Sequence, residues 1–374
     1  MKNTRWRRRR ARCKLAHLKP MVKGDSSVAK LFFLVSGENP TLPFSEVKSI
    51  LSAEGYEHNV LGELTQLLRV EADIECAEAV KFRSALTKAC CLEIFNCKAI
   101  VDEILENVKK RDFTQFLGDD ESFVVRIVRV RGAAPGISCL ALEREIGGMI
   151  LEESKDGRVD LRNPDKTFFG VLTDEKFFFG LRLAEVKHKD LLERGPRRKV
   201  FFHPAAMTAK IARSMVNLAQ SRAGELILDP FCGAGSLLIE AGLIGCRILG
   251  FDVKRRMVDG SLKNLRFLGI EPDGLAVADA RFPPLSEGNV DRIVTDPPYG
   301  ISASTLGSST KEIIRLFFSA AADIMRNGGM VCIAAPKIVK IHEMGVKYGF
   351  KHIESHFIYV HRRLTREIAV FKHV

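Results

Sequence analysis

Two motifs in the second half of the chain combine an acidic residue with residues that constrain the backbone: Asp229-Pro-Phe-Cys-Gly-Ala-Gly235 and Asp296-Pro-Pro-Tyr-Gly300. In the first motif, Gly233 and Gly235 let the backbone approach a ligand where a Cβ atom would collide. Free N–H groups follow at the start of a predicted helix, and in dinucleotide folds such groups bind a pyrophosphate. Asp229 would repel a phosphate, so this motif favours a ligand with an ammonium group.

Two further acids follow at the ends of the next predicted strands. Asp252 suits the ribose hydroxyls, as in dinucleotide folds, and Asp279 can receive an adenine amino group. Acids at the carboxyl ends of three consecutive parallel strands converge on one crevice, which predicts S-adenosylmethionine as the cofactor. The structural alternative is a plain glycine turn with Asp252 as a helix cap. The predicted cofactor contacts of this half are Asp229, Phe231, Gly233, Gly235, Asp252, Asp279 and Ala280.

The second motif ends a predicted fourth strand and has the chemistry to hold a planar amine. The two prolines stiffen the backbone and remove N–H donors, which leaves carbonyl groups exposed. An exocyclic base amine is a poor nucleophile, because its lone pair is delocalised into the ring. Asp296 and the Pro297 carbonyl would accept its two hydrogens, and Tyr299 would stack on the base. These three residues are the predicted catalytic set for methylation of adenine, cytosine or guanine, and the alternative is a plain turn.

The elements that must position these residues alternate between strand and helix from residue 200 onward. Six residues, His361 to Arg366, separate the last two strands, too few for a crossover helix, so these strands must form an antiparallel hairpin. The fold class is therefore α/β, a class I Rossmann-like methyltransferase domain that ends in an antiparallel hairpin. The predicted strands are Leu226–Phe231, Arg247–Val253, Leu275–Ala280, Arg292–Thr295, Met330–Ala335, His352–Val360 and Glu367–Lys372.

The first half of the chain has the patterns of an α+β region. The predicted strands are Leu31–Val35, Gln66–Val70, Ser122–Arg131, Asp160–Val171 and Phe177–Leu183, and the predicted helices are Pro43–Glu54, Lys81–Ile94, Ala99–Lys109 and Ser138–Ser154. We divide the chain into a basic arm at 1–30, an α+β module at 31–75, an RNA-binding region at 76–185, a charged linker at 186–199 and the methyltransferase domain at 200–374.

The net charge of +12 is concentrated at the N-terminus. Residues 1–30 hold eleven Lys and Arg residues and one acid, which leaves +2 for residues 31–374. A basic arm predicts a polyanion partner, whereas the alternative is a mis-assigned start and a shorter chain from Met21. The arm lacks apolar periodicity, so we expect it to be disordered and not to be a signal peptide. Nine scattered cysteines without zinc-site spacing indicate reduced thiols in a cytoplasmic protein and no metal site.

Further motifs make residues 31–374 resemble the archaeal THUMP-domain tRNA (guanine-10-N2)-methyltransferase family. Phe123–Gly132, Leu142–Gly148 and Val159–Asp165 are similar to a THUMP domain, an RNA-binding module. Phe201-Phe-His-Pro204 is similar to the segment that enters the catalytic domain over the cofactor, which implies a cofactor contact for His203. The resemblance also implies that Asp296 and Tyr299 position a guanine and that the THUMP part grips the acceptor end of tRNA.

Several alternatives stay open at the level of sequence. A relative of similar layout methylates position 6 of tRNA, although Asp296 and the C-terminal loop favour position 10. A DNA amino-methyltransferase would share the chemistry but normally adds a target recognition domain. A non-catalytic RNA-binding protein would be expected to lack some of the acids, and none is missing. The sequence does not decide between one and two methyl groups, or whether a small zinc-binding activator subunit is required.

Overall fold

The computed structural model describes residues 28–118, 120–154, 157–195, 200–298, 309–362 and 364–374. The predicted basic arm lies outside these ranges except for its last three residues, and Tyr299 lies outside them as well. The described chain divides into two compact units. The first runs to Lys187 and the second from His188, except that Lys48–Ala53 and Arg83–Ala85 group with the second. No helix in the described ranges is long and apolar enough to cross a membrane.

The first unit contains an eight-stranded sheet of mixed orientation, in the order β2-β3-β1-β4-β8-β7-β5-β6. Only β5 pairs in parallel, with β6 and β7. The strands are β1 Val28–Val35, β2 His58–Leu64, β3 Leu67–Asp73, β4 Thr87–Lys98, β5 Ser122–Arg129, β6 Arg158–Val159, β7 Lys166–Thr173 and β8 Lys176–Glu185. The helices are α1 Leu42–Glu54, α2 Cys76–Arg83, α3 Val101–Lys109 and α4 Cys139–Glu153.

The predicted modules at 31–75 and 76–185 contribute strands to this one sheet, because β1 pairs with both β3 and β4. The triple phenylalanine of β8 is buried, as expected for a core segment. The domain boundaries themselves stay a prediction.

Two sequence predictions in this unit are wrong. Lys81–Ile94 is not one helix, because α2 ends at Arg83 and β4 begins at Thr87. Cys90, Cys91 and Leu92 of β4 are buried in succession, so both faces of the strand are covered there and its apolar residues lose the period of two that marks a half-buried strand. Asp160–Val171 is not one strand either. The Asp160 carboxylate accepts from the backbone N–H groups of residues 162 and 163, which forms a turn, and β7 starts only at Lys166.

The second unit contains a seven-stranded sheet in the order β11-β10-β9-β12-β13-β15-β14. Its first five strands are parallel, and β15 inserts antiparallel between β13 and β14. This confirms the predicted doubly wound sheet with a terminal hairpin. The strands are β9 Leu226–Asp229, β10 Arg247–Asp252, β11 Gly274–Val277, β12 Val290–Thr295, β13 Met325–Pro336, β14 Phe350–His361 and β15 Leu364–His373. The helices are α5 Lys189–Glu193, α6 Ala209–Leu218, α7 Ser236–Leu243, α8 Arg255–Phe267, α9 Thr310–Ile324 and α10 Ile341–Val346.

The strand order of this second sheet reverses direction between β9 and β12. β10 and β11 extend to one side of β9, whereas β12 and β13 extend to the other. In open α/β sheets, the crevice outside the carboxyl ends of the strands at such a switch point is where ligands bind. Both motifs singled out in the sequence begin at this edge, one at the end of β9 and the other after β12.

Candidate functional site

The glycine turn connects the end of β9 to the start of α7. The Cys232 N–H donates to the carbonyl of Phe251 on β10, and the Gly235 N–H donates to the Cys232 carbonyl, both at 2.7 Å. Gly235 has φ +79° and precedes α7, and a Cβ atom there would lie 2.4 Å from the hydroxyl of Ser261. Residue 235 must therefore be glycine for two reasons, the left-handed backbone and the close approach of α8.

Asp229 is the most deeply buried acid of the site, with 2% of its surface exposed. Its Oδ1 accepts from the Thr295 hydroxyl at 2.7 Å and from the Phe231 N–H at 3.2 Å. Burial raises the pKa of Asp229 from 3.8 to about 7. The two hydrogen bonds favour the ionised form and oppose this shift, whereas the negative charges of Asp296 and Asp252 add to it.

Asp252 ends β10 and contacts the glycine turn directly. Its Oδ2 accepts from the Gly233 N–H at 3.1 Å, and its Oδ1 accepts from the Lys254 N–H at 2.9 Å. Burial raises its pKa, and the backbone bonds and the charges of Lys254 and His203 act in the opposite direction. Each carboxylate oxygen keeps a lone pair beyond these bonds, so a ribose hydroxyl could also donate to it.

Asp279 lies two residues beyond the end of β11 rather than at the strand end predicted from the sequence. The Arg281 side chain holds both of its oxygens, with Nε at 3.0 Å from each and Nη2 at 2.6 Å from Oδ2. This pairing lowers the pKa of Asp279. Ala280 between them is buried. Asp279 is thus ionised and already engaged, so an adenine amino group would share the carboxylate with Arg281.

Asp296 follows directly after β12, at the edge where β9 also ends. The Thr295 hydroxyl that donates to Asp229 belongs to the preceding residue, so one hydrogen bond joins the two motifs. The Arg366 guanidinium lies 3.6 Å from Asp296, measured from Nη2 to Oδ2. Pro297 is described next to it, but the stacking role predicted for Tyr299 concerns a residue outside the described ranges.

The segment around His203 is anchored to the turn through Asn264 of α8. The Phe201 N–H donates to Asn264 Oδ1 at 2.8 Å, and Asn264 Nδ2 donates to the carbonyls of Phe201 and Ala234, both at 3.0 Å. His203 lies near enough to Asp252 for its charge to act on that pKa. Phe231 is partly buried, and its ring packs edge-on against Phe317.

The structure thus brings Asp229, Asp252, Asp296 and His203 into one electrostatic neighbourhood, with Gly233 in direct contact. Three contacting residues were missed in the sequence: Thr295, Arg281 and Arg366. The adjacency of Thr295 to Asp296 and of Arg281 to Asp279 is visible in the sequence, whereas the approach of Arg366 depends on the hairpin. Within the described residues, no cluster of three His, Cys, Asp or Glu side chains has the arrangement of a metal site.

Known proteins match both units of the chain. Residues 196–366 match the family model described as RMKL-like, methyltransferase domain, and residues 98–182 match the THUMP domain. The tRNA (guanine(10)-N2)-dimethyltransferase of Methanothermobacter thermautotrophicus is 36% identical over 92% of this chain and 100% of its own. The protein of the same name from Methanocaldococcus jannaschii is 30% identical over 91% of this chain and 99% of its own. The chain belongs to the tRNA (guanine(10)-N2)-dimethyltransferase family.

Solved structures agree with this family at the level of the fold. The crystal structure of TrmN from Thermus thermophilus superposes with a TM-score of 0.53 at 19% identity, over 92% of this chain and 100% of that one. The chain is accordingly an S-adenosylmethionine-dependent methyltransferase, as the family model and the relatives show.

A cationic cofactor fits the side chains at the edge of the sheet. Burial raises the pKa of Asp229, and the charges of Asp296 and Asp252 add to the shift, so Asp229 is repelled by both of these acids. A ligand with an ammonium and a sulfonium group relieves that repulsion. A Cβ atom at Gly233 would lie 3.9 Å from its nearest neighbour, so the surface of the turn has room for a ligand. The acids would hold the ammonium and ribose groups, and the cofactor supplies the methyl group when bound.

Proposed function

We propose that the protein methylates the exocyclic N2 amine of guanosine 10 in tRNA, and that it adds two methyl groups. The observation that carries this proposal is the relationship over nearly the whole chain to two proteins named tRNA (guanine(10)-N2)-dimethyltransferase. The match of residues 98–182 to a THUMP domain supports an RNA substrate rather than DNA. The role proposed for the first unit is therefore to bind the RNA, whereas the second unit carries out the methyl transfer.

The proposed catalytic residue is Asp296, assisted by the carbonyl of Pro297. The Asp296 carboxylate accepts one hydrogen of the N2 amine, and the Pro297 carbonyl accepts the other, which turns the nitrogen lone pair towards the methyl group. As the new bond between nitrogen and carbon forms and the bond between carbon and sulfur breaks, Asp296 takes the proton that the nitrogen loses. Tyr299 is proposed to stack on the guanine.

The proposed cofactor contacts are Asp229 to the ammonium group, Asp252 to the ribose and Asp279 to the adenine amino group. Asp229 is the acid closest to the catalytic strand, because the Thr295 hydroxyl on that strand donates to it. Phe231, Gly233, Gly235, Ala280 and His203 complete the proposed contact set.

The proposal of two methyl groups has a chemical basis beyond the names of the relatives. After one transfer, the amine keeps one hydrogen, which either the Asp296 carboxylate or the Pro297 carbonyl can accept. A second transfer needs only space for the first methyl group at the position of the lost hydrogen.

The test is mass spectrometry of nucleosides from a tRNA transcript treated with the purified chain and S-adenosylmethionine. We expect N2-methylguanosine and N2,N2-dimethylguanosine, and we expect both to disappear when the transcript carries adenosine at position 10. Methylation that survives this replacement would refute position 10, and a guanosine-6 replacement would then locate the target. A DNA duplex serves as the control for the alternative substrate.

The catalytic assignment is tested with Asp296→Asn. We expect turnover to fall at least 100-fold, because general acid–base groups contribute about 10²- to 10⁴-fold. Cofactor affinity, measured by calorimetry, should stay close to wild type. Asp259→Asn is the matched control, since Asp259 is exposed on α8 and pairs with a surface arginine. Equal losses in both variants, or a collapse of cofactor affinity in the first, would contradict the assignment.

Two finer proposals concern the surroundings of the reaction. The eight cysteines among the described residues are all free thiols, the state favoured by a reducing compartment, and we propose the cytoplasm as the location. The same nucleoside assay, run with the chain alone and with a small zinc-binding activator subunit added, decides whether a second subunit is required.

A further inference from the structure

A group of exposed side chains lies on the C-terminal hairpin and on the turn that precedes α10. Tyr359 and Phe357 of β14 are 72% and 43% exposed, and Ile338 in the short 3₁₀ helix Lys337–Val339 is 89% exposed. A single exposed apolar residue is ordinary, but a group that includes two aromatic rings indicates a binding surface. We call Lys337, Ile338, Phe357 and Tyr359 the hairpin platform.

The two rings of the hairpin platform lie on one face of the sheet. Residues two apart in a strand share a face, and the pairing runs without a shift from Phe357 opposite Glu367 to Tyr359 opposite Thr365. Glu367 Oε1 lies 2.7 Å from His342 Nδ1 on α10, so this is the face against which α10 packs. Towards the end of β14, which is the last strand of the sheet, the same face is exposed.

Lys337 adds a cation to this aromatic face. Its Nζ lies 5.1 Å from the centroid of the Phe357 ring, which is within the range of a cation–π contact. Lys337 is exposed and follows directly after Pro336, the last residue of β13. The hairpin platform therefore presents a positive charge and flat apolar surface next to each other.

The hairpin platform lies at the edge of the sheet that carries the candidate site. β13 and β14 both run antiparallel to β15, so the end of β14 lies at the edge where the parallel strands end and where Asp229 and Asp296 are found. Tyr359 pairs with Thr365, and the next residue, Arg366, lies 3.6 Å from Asp296. A substrate that reaches Asp296 thus passes close to Tyr359.

The charge of this part of the chain favours a polyanion. Residues 336–366 hold seven Lys and Arg residues and two Glu residues, a net charge of +5, whereas residues 31–374 together carry only +2. The segment is therefore strongly basic within a nearly neutral body, which complements the phosphates of RNA. A second copy of the chain would bring a surface of the same sign against it, so self-association is disfavoured.

We propose, on the basis of the function proposed above, that the hairpin platform binds the RNA substrate beside the target guanosine. Tyr359 stacks on a base that has left the helical stack, and Lys337 contacts a phosphate of the same strand. A base amine inside a helix is out of reach of the methyl donor, so the target has to leave its stack. An exposed aromatic ring then replaces the stacking that the neighbouring base loses, and the lysine holds the backbone regardless of sequence.

The test measures two properties of each variant. The first is kcat/KM for a tRNA transcript, and the second is the affinity for that transcript, with S-adenosylhomocysteine present, at several salt concentrations. The variants are Tyr359→Ala, Tyr359→Phe and Lys337→Met. The matched controls are Phe267→Ala and Lys263→Met on α8, an exposed aromatic residue and an exposed lysine four residues apart. α8 ends at Phe267, before the start of β11 and therefore towards the opposite edge of the sheet.

We expect Tyr359→Ala to lower kcat/KM by roughly 10- to 100-fold, the range by which stacking of a base on an aromatic ring contributes. Its salt dependence should stay unchanged, because no charge is removed. Tyr359→Phe keeps the ring and should stay close to the wild type. Lys337→Met should weaken RNA binding and reduce the slope of log affinity against log salt by about 0.7, the value for one contact to a single strand. Both controls should behave as the wild type.

Several results would overturn the inference. Equal losses in Tyr359→Ala and Phe267→Ala would remove any special role of the hairpin, and a loss in Tyr359→Phe as large as in Tyr359→Ala would exclude stacking. An unchanged salt slope in Lys337→Met would exclude the phosphate contact. A wild-type dimer in sedimentation that Tyr359→Ala abolishes would assign the surface to a second copy.

Two further measurements separate these results from other failures. Cofactor affinity by calorimetry and thermal unfolding should match the wild type in all variants, and a change in either that accounts for the loss of kcat/KM would make Tyr359 a structural residue and refute the RNA contact. If the wild type itself neither binds nor methylates the transcript, the proposed function fails instead, so the two failures are distinguishable.

Discussion

Cofactor affinity should fall as the pH is lowered from 8 to 6, because Asp229, the proposed partner of the cofactor's ammonium group, has a raised pKa. Burial raises the pKa of Asp229 to about 7, against the ordinary value of 3.8. Below this pKa the carboxyl group is mostly protonated, and it then has no negative charge for an ammonium group. Binding has to expel the proton, so the dissociation constant rises as the pH falls.

The magnitude follows from the fraction of Asp229 that is ionised before binding. With a pKa of about 7, roughly one-tenth is ionised at pH 6, about half at pH 7 and most at pH 8. If the bound ammonium returns the pKa towards 3.8, affinity at pH 6 is roughly tenfold lower than at pH 8, which corresponds to about 1.4 kcal/mol. At pH 7, about half a proton is released for each cofactor molecule bound.

The assay is calorimetry with S-adenosylhomocysteine, which carries the ammonium group and allows no turnover. Titrations at pH 6, 7 and 8 give the dissociation constants, and two buffers of different ionisation enthalpy give the number of protons released. Asp229→Asn imitates the protonated acid in shape. It should therefore bind no more tightly than the wild type at pH 6, and its affinity should not change between pH 6 and 8.

Other titratable groups near Asp229 call for a second control. Asp252 has a pKa that burial also raises, Asp296 adds to the shift of Asp229, and His203 interacts with Asp252. His203→Asn removes the histidine whose charge acts on Asp252 and leaves Asp229 in place. A flat affinity in the wild type, or a slope that persists in Asp229→Asn and disappears in His203→Asn, would refute the assignment of the linkage to Asp229.

Three further predictions concern the same domain. Asp252→Ala should weaken cofactor binding by roughly 10- to 100-fold, since it removes hydrogen bonds to a charged acceptor, and an unchanged calorimetric Kd would count against the ribose role. Gly235→Ala should lower the free energy of unfolding by more than the ~1–2 kcal/mol that a left-handed alanine costs, because its Cβ would also meet Ser261. Gly224 likewise has a positive φ but lies in open space, so the difference in thermal unfolding between Gly235→Ala and Gly224→Ala measures the cost of the contact with Ser261. Glu240→Gln should cost about 3 kcal/mol in denaturant unfolding, because two arginine side chains share this buried acid, and a loss below 1 kcal/mol would show that the arginines find other partners.

The parallel sheet was predictable because each of its strands reads locally as an apolar run between polar turns. The hairpin followed from chain length alone, since six residues cannot cross a sheet. The strand bounds differed mainly at their ends: β13 begins at Met325 rather than Met330, and β11 ends at Val277 rather than Ala280. These ends depend on pairing with neighbouring strands, which a local pattern does not contain.

The wrong predictions in the first unit also come from tertiary contacts that a local sequence pattern does not contain. β4 lies in the middle of a sheet with both faces covered, so its residues Cys90, Cys91 and Leu92 are all buried in succession. A run of this kind fits a buried helix as well as a central strand, and the preceding α2 made the helix the simpler interpretation. β2 was missed because its residues are half-exposed to exposed and it lies at the edge of the sheet.

The acids of the candidate site were predictable one by one, but their partners were not. A motif shows that Asp279 is present, yet only the fold shows that Arg281 folds back onto both of its oxygens. Arg366 is farther away in sequence from the acid it approaches, and nothing in the local pattern indicates which face of the hairpin it occupies. Contacts of this kind depend on the insertion of β15 beside β13, which is a property of the whole sheet.

One hydrogen bond links the cofactor motif to the strand that carries the proposed catalytic acid. The Thr295 hydroxyl donates to Asp229, and the next residue along the chain is Asp296. Burial is the main reason that the pKa of Asp229 is raised, and the negative charge of Asp296 adds to the shift, so the two carboxylates repel each other. A cation bound at Asp229 therefore favours the ionised form of that acid and strengthens the hydrogen bond from Thr295. The proposed cofactor contact thus steadies the end of β12 that carries the proposed catalytic acid, so the acceptor of the amine hydrogen is best held when the methyl donor is present.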